Sequence, residues 1–289
     1  MAARPQLTIE IEGVALHLAH PDEISIRWIG QHETMKQLLA AWSVVDDEDL
    51  PMNPRLLGKP GVGKTTLAYA AARRLERDVY IFQATMDTRP EDLLITPVID
   101  RQGSIRYVAS PLVTAMIRGG VAILDEGNRM SEKSWASLAP LLDNRRYIES
   151  IVAGVKVKAD PGFRLVATMN DDASTYELPE YIHSRLQPQI HLDFPEHEEE
   201  KRILKENLPF SDDRILEYVT RFLQVAHAAD EPFTVRDGVN VARYALKLLG
   251  GQSEDDDARV AALTEAITRI LGEDTLRHFG GGAGKRGHS

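Results

Sequence analysis

The chain has 289 residues, 43% of them hydrophobic and 27% charged, enough for one large domain or a core with a smaller companion. It contains no cysteine, which excludes disulfides, thiolate metal sites and a cysteine nucleophile and suits a cytoplasmic location. The net charge of −10 disfavours nucleic acid as the main partner, because gripping phosphate backbones calls for an excess of Lys and Arg. No apolar run approaches the ~20 residues that span a bilayer, and Met1 to Glu10 lacks the basic-then-apolar pattern of a secretory signal.

Taken in chain order, residues 1–27 alternate apolar and polar side chains (Leu7, Ile9, Ile11, then Val14, Leu16, Leu18) and read as a β extension of short strands. Residues 28–195 interleave helical segments with short apolar strands at Arg55–Leu57, Val79–Phe82, Val121–Leu124, Arg164–Thr168 and Gln189–Phe194. That alternation predicts an α/β core with a central parallel sheet covered on both faces. From 196 to 279 the strands stop and helices follow: Glu196–Asn207, Asp212–Ala228 with Ser211 as its cap, Val235–Leu249 after Thr234, and Ala258–Leu271 before Gly272. The tail 280–289 is rich in glycine and polar residues and reads as disordered.

Between the Arg55–Leu57 strand and a following helix lies Gly58-Lys59-Pro60-Gly61-Val62-Gly63-Lys64-Thr65-Thr66. Its spacing of glycines before Lys-Thr is that of a phosphate-binding loop, and the strand and helix flanks are those the loop requires. The glycines let backbone N–H groups turn inward onto phosphate oxygens, aided by the positive end of the helix. Lys64 is placed to reach the β- and γ-phosphates, and Thr65 to offer a hydroxyl to Mg²⁺. Downstream, the apolar run Val121–Leu124 ends in Asp125-Glu126. Asp125 is placed to hold Mg²⁺ through water and Glu126 to orient and polarise the attacking water of a nucleoside triphosphatase, with ATP as the expected nucleotide.

These motifs together resemble those of an AAA+ ATPase, specifically the MoxR group with its CbbQ/NorQ-type relatives of the dynein-related AAA type, over about Trp28 to Phe279. Trp28-Ile29-Gly30-Gln31 resembles the segment that contacts the adenine, which implies a nucleotide contact for Ile29 and Gly30. Asp87 to Leu94 resembles the lead into an inserted hairpin, here Thr96–Tyr107 turning at Arg101-Gln102-Gly103. Asp125-Glu126-Gly127-Asn128-Arg129 resembles the Asp-Glu-x-Asn-Arg signature, with Gly127 where isoleucine is usual. Ala167-Thr168-Met169-Asn170 resembles the sensor-1 strand, which implies that Asn170 sits near the γ-phosphate and attacking water.

The stretch Leu178 to Leu186 resembles the segment ending in Asp-Arg-Phe, which implies an arginine finger at Arg185 acting on a neighbouring copy. Phe233-Thr234-Val235-Arg236-Asp237 resembles the sensor-2 helix start, which implies that Arg236 contacts the nucleotide from a helical lid. By the residues alone, Asn170 also suits a strand-end cap, Arg236 a surface helix and Arg185 a salt bridge. Arg145-Arg146 reads as a solvated pair. The resemblance further implies a hexameric ring that remodels, assembles or activates a protein complex, often with a von Willebrand factor A domain partner. A nucleic-acid motor and a nucleotide-gated scaffold are the rival readings. The acidic charge opposes the first, and Glu126, Asn170 and Arg185 together oppose the second.

Overall fold

A computed structural model describes residues 7–25, 27–170, 178–251 and 254–279, and the expected disordered tail lies outside them. Contacts divide the chain into two compact units. The first comprises Met1–Ser25, His32–Gly58 and Gly63–Leu192; the second comprises Ile26–Gln31, Lys59–Val62 and Asp193–Ser289.

The first unit opens with β1 (Thr8–Ile11) and β2 (Val14–His17), followed by α1 (His32–Trp42), β3 (Arg55–Gly58), α2 (Lys64–Arg74) and β4 (Val79–Gln83). Next come α3 (Pro90–Leu93), β5 (Ile95–Ile99), β6 (Ile105–Ala109), α4 (Pro111–Arg118) and β7 (Val121–Asp125). A 3-10 turn (Gly127–Arg129) leads to α5 (Glu132–Leu138), β8 (Tyr147–Ser150), β9 (Val155–Lys158), β10 (Arg164–Asn170), α6 (Glu180–His183) and β11 (Gln189–His191).

Five strands form one parallel sheet in the order β11-β3-β10-β7-β4. β10 is buried along its whole length and β7 over all but its last residue, as expected of a parallel sheet with both faces covered. α2 packs on β3, β4, β7 and β10, and α4 on β4 and β7. Four strands run further than their apolar runs predict, because main-chain pairing continues through the polar ends: Asn170 of β10 pairs with Gly58 of β3, and Gln83 of β4 with Asp125 of β7. β11 is shorter than predicted and stops at His191, although Leu192 still donates its N–H to Leu57.

A second sheet joins segments far apart in sequence, in the order β1-β2-β6-β5. β1 and β2 form a hairpin turning at Glu12 and Gly13, both at positive φ, the backbone of a tight primed turn. β2 pairs in parallel with β6 of the inserted hairpin, Leu16 opposite Tyr107. The Asp100 carboxylate closes the β5–β6 turn by accepting from the Gln102 and Ser104 N–H groups. One face of this sheet buries Leu16, Ile95 and Ala109 in the core, while Ile99 and Ile105 further along are 74% and 63% exposed. β8 and β9 pair separately, and Ile151 in the loop between them is 93% exposed.

Arg146 departs from its expectation as half of a solvated pair. It is buried at a left-handed turn (φ 48), donates to the Phe163 carbonyl and lies over the Phe163 ring, whereas Arg145 is exposed and pairs with Asp143.

The second unit contains α7 (His197–Asn207), α8 (Asp213–Ala228), α9 (Val235–Leu248), α10 (Asp256–Leu271) and a 3-10 segment (Glu273–His278). Ile215, Val219, Phe222 and Leu223 of α8 pack with Val239 and Ala242 of α9 and with Leu263 and Ile267 of α10. Gly238 allows close approach, since a Cβ there would lie 2.6 Å from Leu223 Cδ1. α8 is capped by Asp212 rather than Ser211. One Asp212 oxygen accepts from the Arg214 N–H and the other pairs with buried Arg259, while the Ser211 hydroxyl turns back to the Leu208 carbonyl. Thr234 caps α9 in a reciprocal capping box with Asp237. Among the described residues no helix is long and apolar enough to cross a membrane.

Candidate functional site

The site is built at the carboxyl ends of β3, β7 and β10, where loops leave a buried parallel sheet and polar side chains can converge. β3 ends at Gly58, and α2 begins at Lys64. Gly61 (φ 81) and Gly63 (φ 100) hold the intervening loop in a conformation that side-chain-bearing residues rarely adopt. Lys64 is buried and donates from Nζ to the Gly58 carbonyl at 2.8 Å. The cation is thus folded back over the loop it belongs to.

Asp125, the last residue of β7, is the hub of the polar network. Its Oδ1 accepts from Thr65 Oγ1 at 2.6 Å and from Thr168 Oγ1 at 2.5 Å. Thr168 in turn accepts from the Glu126 N–H at 3.1 Å, so one buried hydroxyl fixes both acidic residues. Glu126 leaves the strand in a left-handed conformation (φ 55). Its Oε1 lies 3.5 Å from Asn170 Nδ2, and its Oε2 lies 2.6 Å from Arg129 Nε. Asn128 ties the turn to β10 by donating to the Asn170 carbonyl at 2.9 Å. Gly127 suits this turn, because a Cβ there would lie 3.1 Å from the Trp135 ring.

Lys64 and Thr65 at the start of α2 therefore belong to the same unit as Asp125 and Asn170 at the ends of β7 and β10 and Glu126 just past β7. Arg185 lies elsewhere in that unit, after α6. It donates to the Tyr181 carbonyl at 2.6 Å, lies over the Tyr181 ring and comes within 3.7 Å of Asp143, while its Nε is buried without a hydrogen-bond partner.

The remaining candidates belong to the helical unit. Arg236 is exposed in the first turn of α9. Trp28 Nε1 donates to the Gly30 carbonyl, and Gly30 lies against the Glu199 carboxylate, which accepts from the Gln31 N–H at 3.2 Å. Lys59 pairs with Asp230 at 2.7 Å and lies over Phe194, whose ring stacks on His227. Burial holds the His227 pKa down, and Lys59 holds that of Asp230 down. Gly61 abuts Thr234, with a Cβ there only 2.7 Å from the threonine methyl.

Sequence reasoning gave no role to Thr168, Arg129 or the Lys59–Asp230 pair. A polar residue inside the apolar run of β10 was a signal for Thr168; the other two depend on contacts that spacing does not reveal. Among the described residues no cluster of three or more His, Cys, Asp or Glu side chains is placed to hold a metal.

Residues 55–186 match the AAA domain (dynein-related subfamily). An uncharacterized protein of Staphylococcus aureus (strain COL) is 30% identical over 179 residues, covering 60% of this chain and 68% of the relative. The RuvB Holliday junction branch migration motor of Thermotoga maritima shares the fold at TM-score 0.58 and 19% identity, over 85% of this chain and 72% of that one. A putative ATPase from Cytophaga hutchinsonii aligns at TM-score 0.50 and 20% identity, over 86% and 80% of the two chains. With that match and the parallel sheet that carries it, the chain contains an AAA domain of the dynein-related subfamily over residues 55–186.

Proposed function

We propose that the chain binds ATP with Mg²⁺ on the loop Gly58–Thr66 and hydrolyses it, working as a ring of copies that remodels, assembles or activates a protein complex. The observation that carries this reading is the bonded set Thr65–Asp125–Thr168–Glu126, which fixes two carboxylates beside the start of α2. Lys64 and the N–H groups opening α2 bind the β- and γ-phosphates. Thr65 and Asp125, already joined by a hydrogen bond, would hold Mg²⁺, Thr65 by its hydroxyl and Asp125 through water, and the ion would supply charge neutralisation at the phosphates. Glu126 orients the attacking water, and Asn170 steadies the Glu126 carboxylate. Ile29, Gly30 and Arg236 contact the nucleotide from the helical unit, which serves as the lid.

Arg185 acts on the neighbouring copy's nucleotide. The exposed isoleucines of the β5–β6 hairpin and the β8–β9 loop form the surface for a client or a von Willebrand factor A domain partner. The acidic charge keeps nucleic acid the disfavoured partner.

Mixing variants tests the ring reading. Arg185→Ala should bind ATP but lose roughly 10³-fold or more of its hydrolysis, the scale of an arginine finger. Lys64→Ala should neither bind nor hydrolyse. Rings reassembled from both variants should regain part of the activity at interfaces where an intact Lys64 faces an intact Arg185. Normal hydrolysis by Arg185→Ala alone would remove the finger assignment.

A further inference from the structure

We propose that Arg55 is a positioning residue for Arg185: from the start of β3 it grips α6 through His183, and so holds the segment that presents Arg185 to the neighbouring copy. This rests on the reading of Arg185 as the residue that acts on that copy's nucleotide.

Arg55 stands in the parallel sheet, opposite Ala167 of β10 on one side and Gln189 of β11 on the other, and is only 2% exposed. Its Nη1 lies 2.8 Å from His183 Nδ1, and its Nε is buried without a hydrogen-bond partner. A guanidinium can only donate, so Nδ1 must accept and the ring proton sits on Nε2. The imidazole of the exposed His183 is thereby fixed in tautomer and orientation by a buried cation.

α6 is a single turn of four residues, too short to persist without tertiary contacts. Beside the buried Ile182, the start of β3 supplies three ties to this segment. Arg55 Nη1 meets His183, the Arg55 N–H donates to the Pro188 carbonyl at 3.0 Å, and Asn53 Nδ2 reaches the Arg185 carbonyl at 3.5 Å. These ties fall before, at and after Arg185. Nη1 of Arg185 donates in turn to the Tyr181 carbonyl of α6 at 2.6 Å, so the guanidinium takes its direction from the turn that Arg55 holds.

Burying a guanidinium against an imidazole that accepts from it supplies no opposite charge to offset lost hydration, and burial lowers the Arg55 pKa. An unbranched apolar side chain would fill the same place without that penalty. The arginine is therefore explained by what it holds rather than by the core it sits in.

Arg55→Met, assayed for ATP hydrolysis and melting beside wild type, tests this. Its kcat should fall by roughly 10-fold to 100-fold, the scale of a misplacement of about 1 Å. KM should be unchanged and the melting temperature equal or higher. His183→Asn, whose amide oxygen stands where Nδ1 did, should keep the wild-type rate. His183→Leu should lose it, and this variant serves if Arg55→Met fails to fold. Rings reassembled from Arg55→Met and Lys64→Ala copies should regain activity, because an intact phosphate loop then faces a well-held Arg185. Rings of Arg55→Met and Arg185→Ala should not, since neither copy presents Arg185 correctly. The reverse pattern, an unchanged kcat, or a kcat that falls only together with the melting temperature overturns the proposal. If Arg185→Ala by itself hydrolyses normally, it is the underlying reading of Arg185 that fails.

Discussion

Two threonines and a carboxylate gathered at the strand ends of the α/β unit bond to one another, although Arg55, Asn128, Arg129 and Arg185 of that unit each keep a buried atom without a hydrogen-bond partner; in the helical unit the half-satisfied group is a carboxyl. In the first, Thr65, Asp125, Thr168 and the Glu126 N–H form a closed set around a single carboxylate oxygen. In the second, Glu200 of α7 is fully buried, with Oε2 accepting from Gln224 at 2.7 Å and Oε1 without a hydrogen-bond partner. Burial raises the Glu200 pKa to about 7, and the Gln224 bond only partly offsets this. Hydroxyls at the strand ends thus donate to one carboxylate oxygen, while burial favours the neutral form of Glu200. The same helical unit shows the satisfied alternative in Arg259, buried against Asp212.

The largest expected effect comes from removing that contrast. Between the ordinary carboxyl value of 4.5 and about 7, an unfolded chain releases the Glu200 proton while the folded chain keeps it. Stability is therefore fully present below the unfolded pKa and is lost as pH rises through that window. Above it the folded state carries a penalty of about 3 kcal/mol. Glu200→Gln should flatten the stability profile between those pH values and raise the melting temperature at pH 8. Denaturant titrations at pH 5 and pH 8 check this, and an unchanged pH profile would remove Glu200 as its source.

The smaller effect lies at the strand ends. Thr168→Val keeps the shape but deletes the hydroxyl that serves both Asp125 and Glu126, leaving the Glu126 N–H without its bond. It should cost about 1–3 kcal/mol of stability and lower kcat more than it changes KM. Stability and activity both at wild-type levels would mean that the acidic pair is held by the strand alone.

The phosphate loop and the Asp125-Glu126 strand end were legible because local spacing carries them: glycines, a lysine and a hydroxyl must follow one another for the loop to turn. The five parallel strands were legible as apolar runs, with ends misjudged by up to three residues where polar side chains continue the ladder, as at Asn170, or where Pro195 follows a weak edge, as after His191. Pairing across long separations was not legible. Nothing local to Val14–His17 announces that β6 is its partner, since alternation reveals a strand but not its neighbour. Ser211 and Asp212 were equally able caps by residue type; the Arg259 guanidinium decided for Asp212. The Arg129 contact escaped for a similar reason, because an Asp-Glu-x-Asn-Arg run does not reveal that its arginine bends back on its own glutamate.

The central claim is that Glu126 orients water for ATP hydrolysis at a site whose phosphate grip is Lys64. The most direct measurement is ATP affinity and single-turnover hydrolysis on the same preparation of Glu126→Gln. The account predicts wild-type affinity with hydrolysis slower by about 100-fold or more, the contribution of a positioned general base. Hydrolysis at the wild-type rate with ATP bound would contradict it.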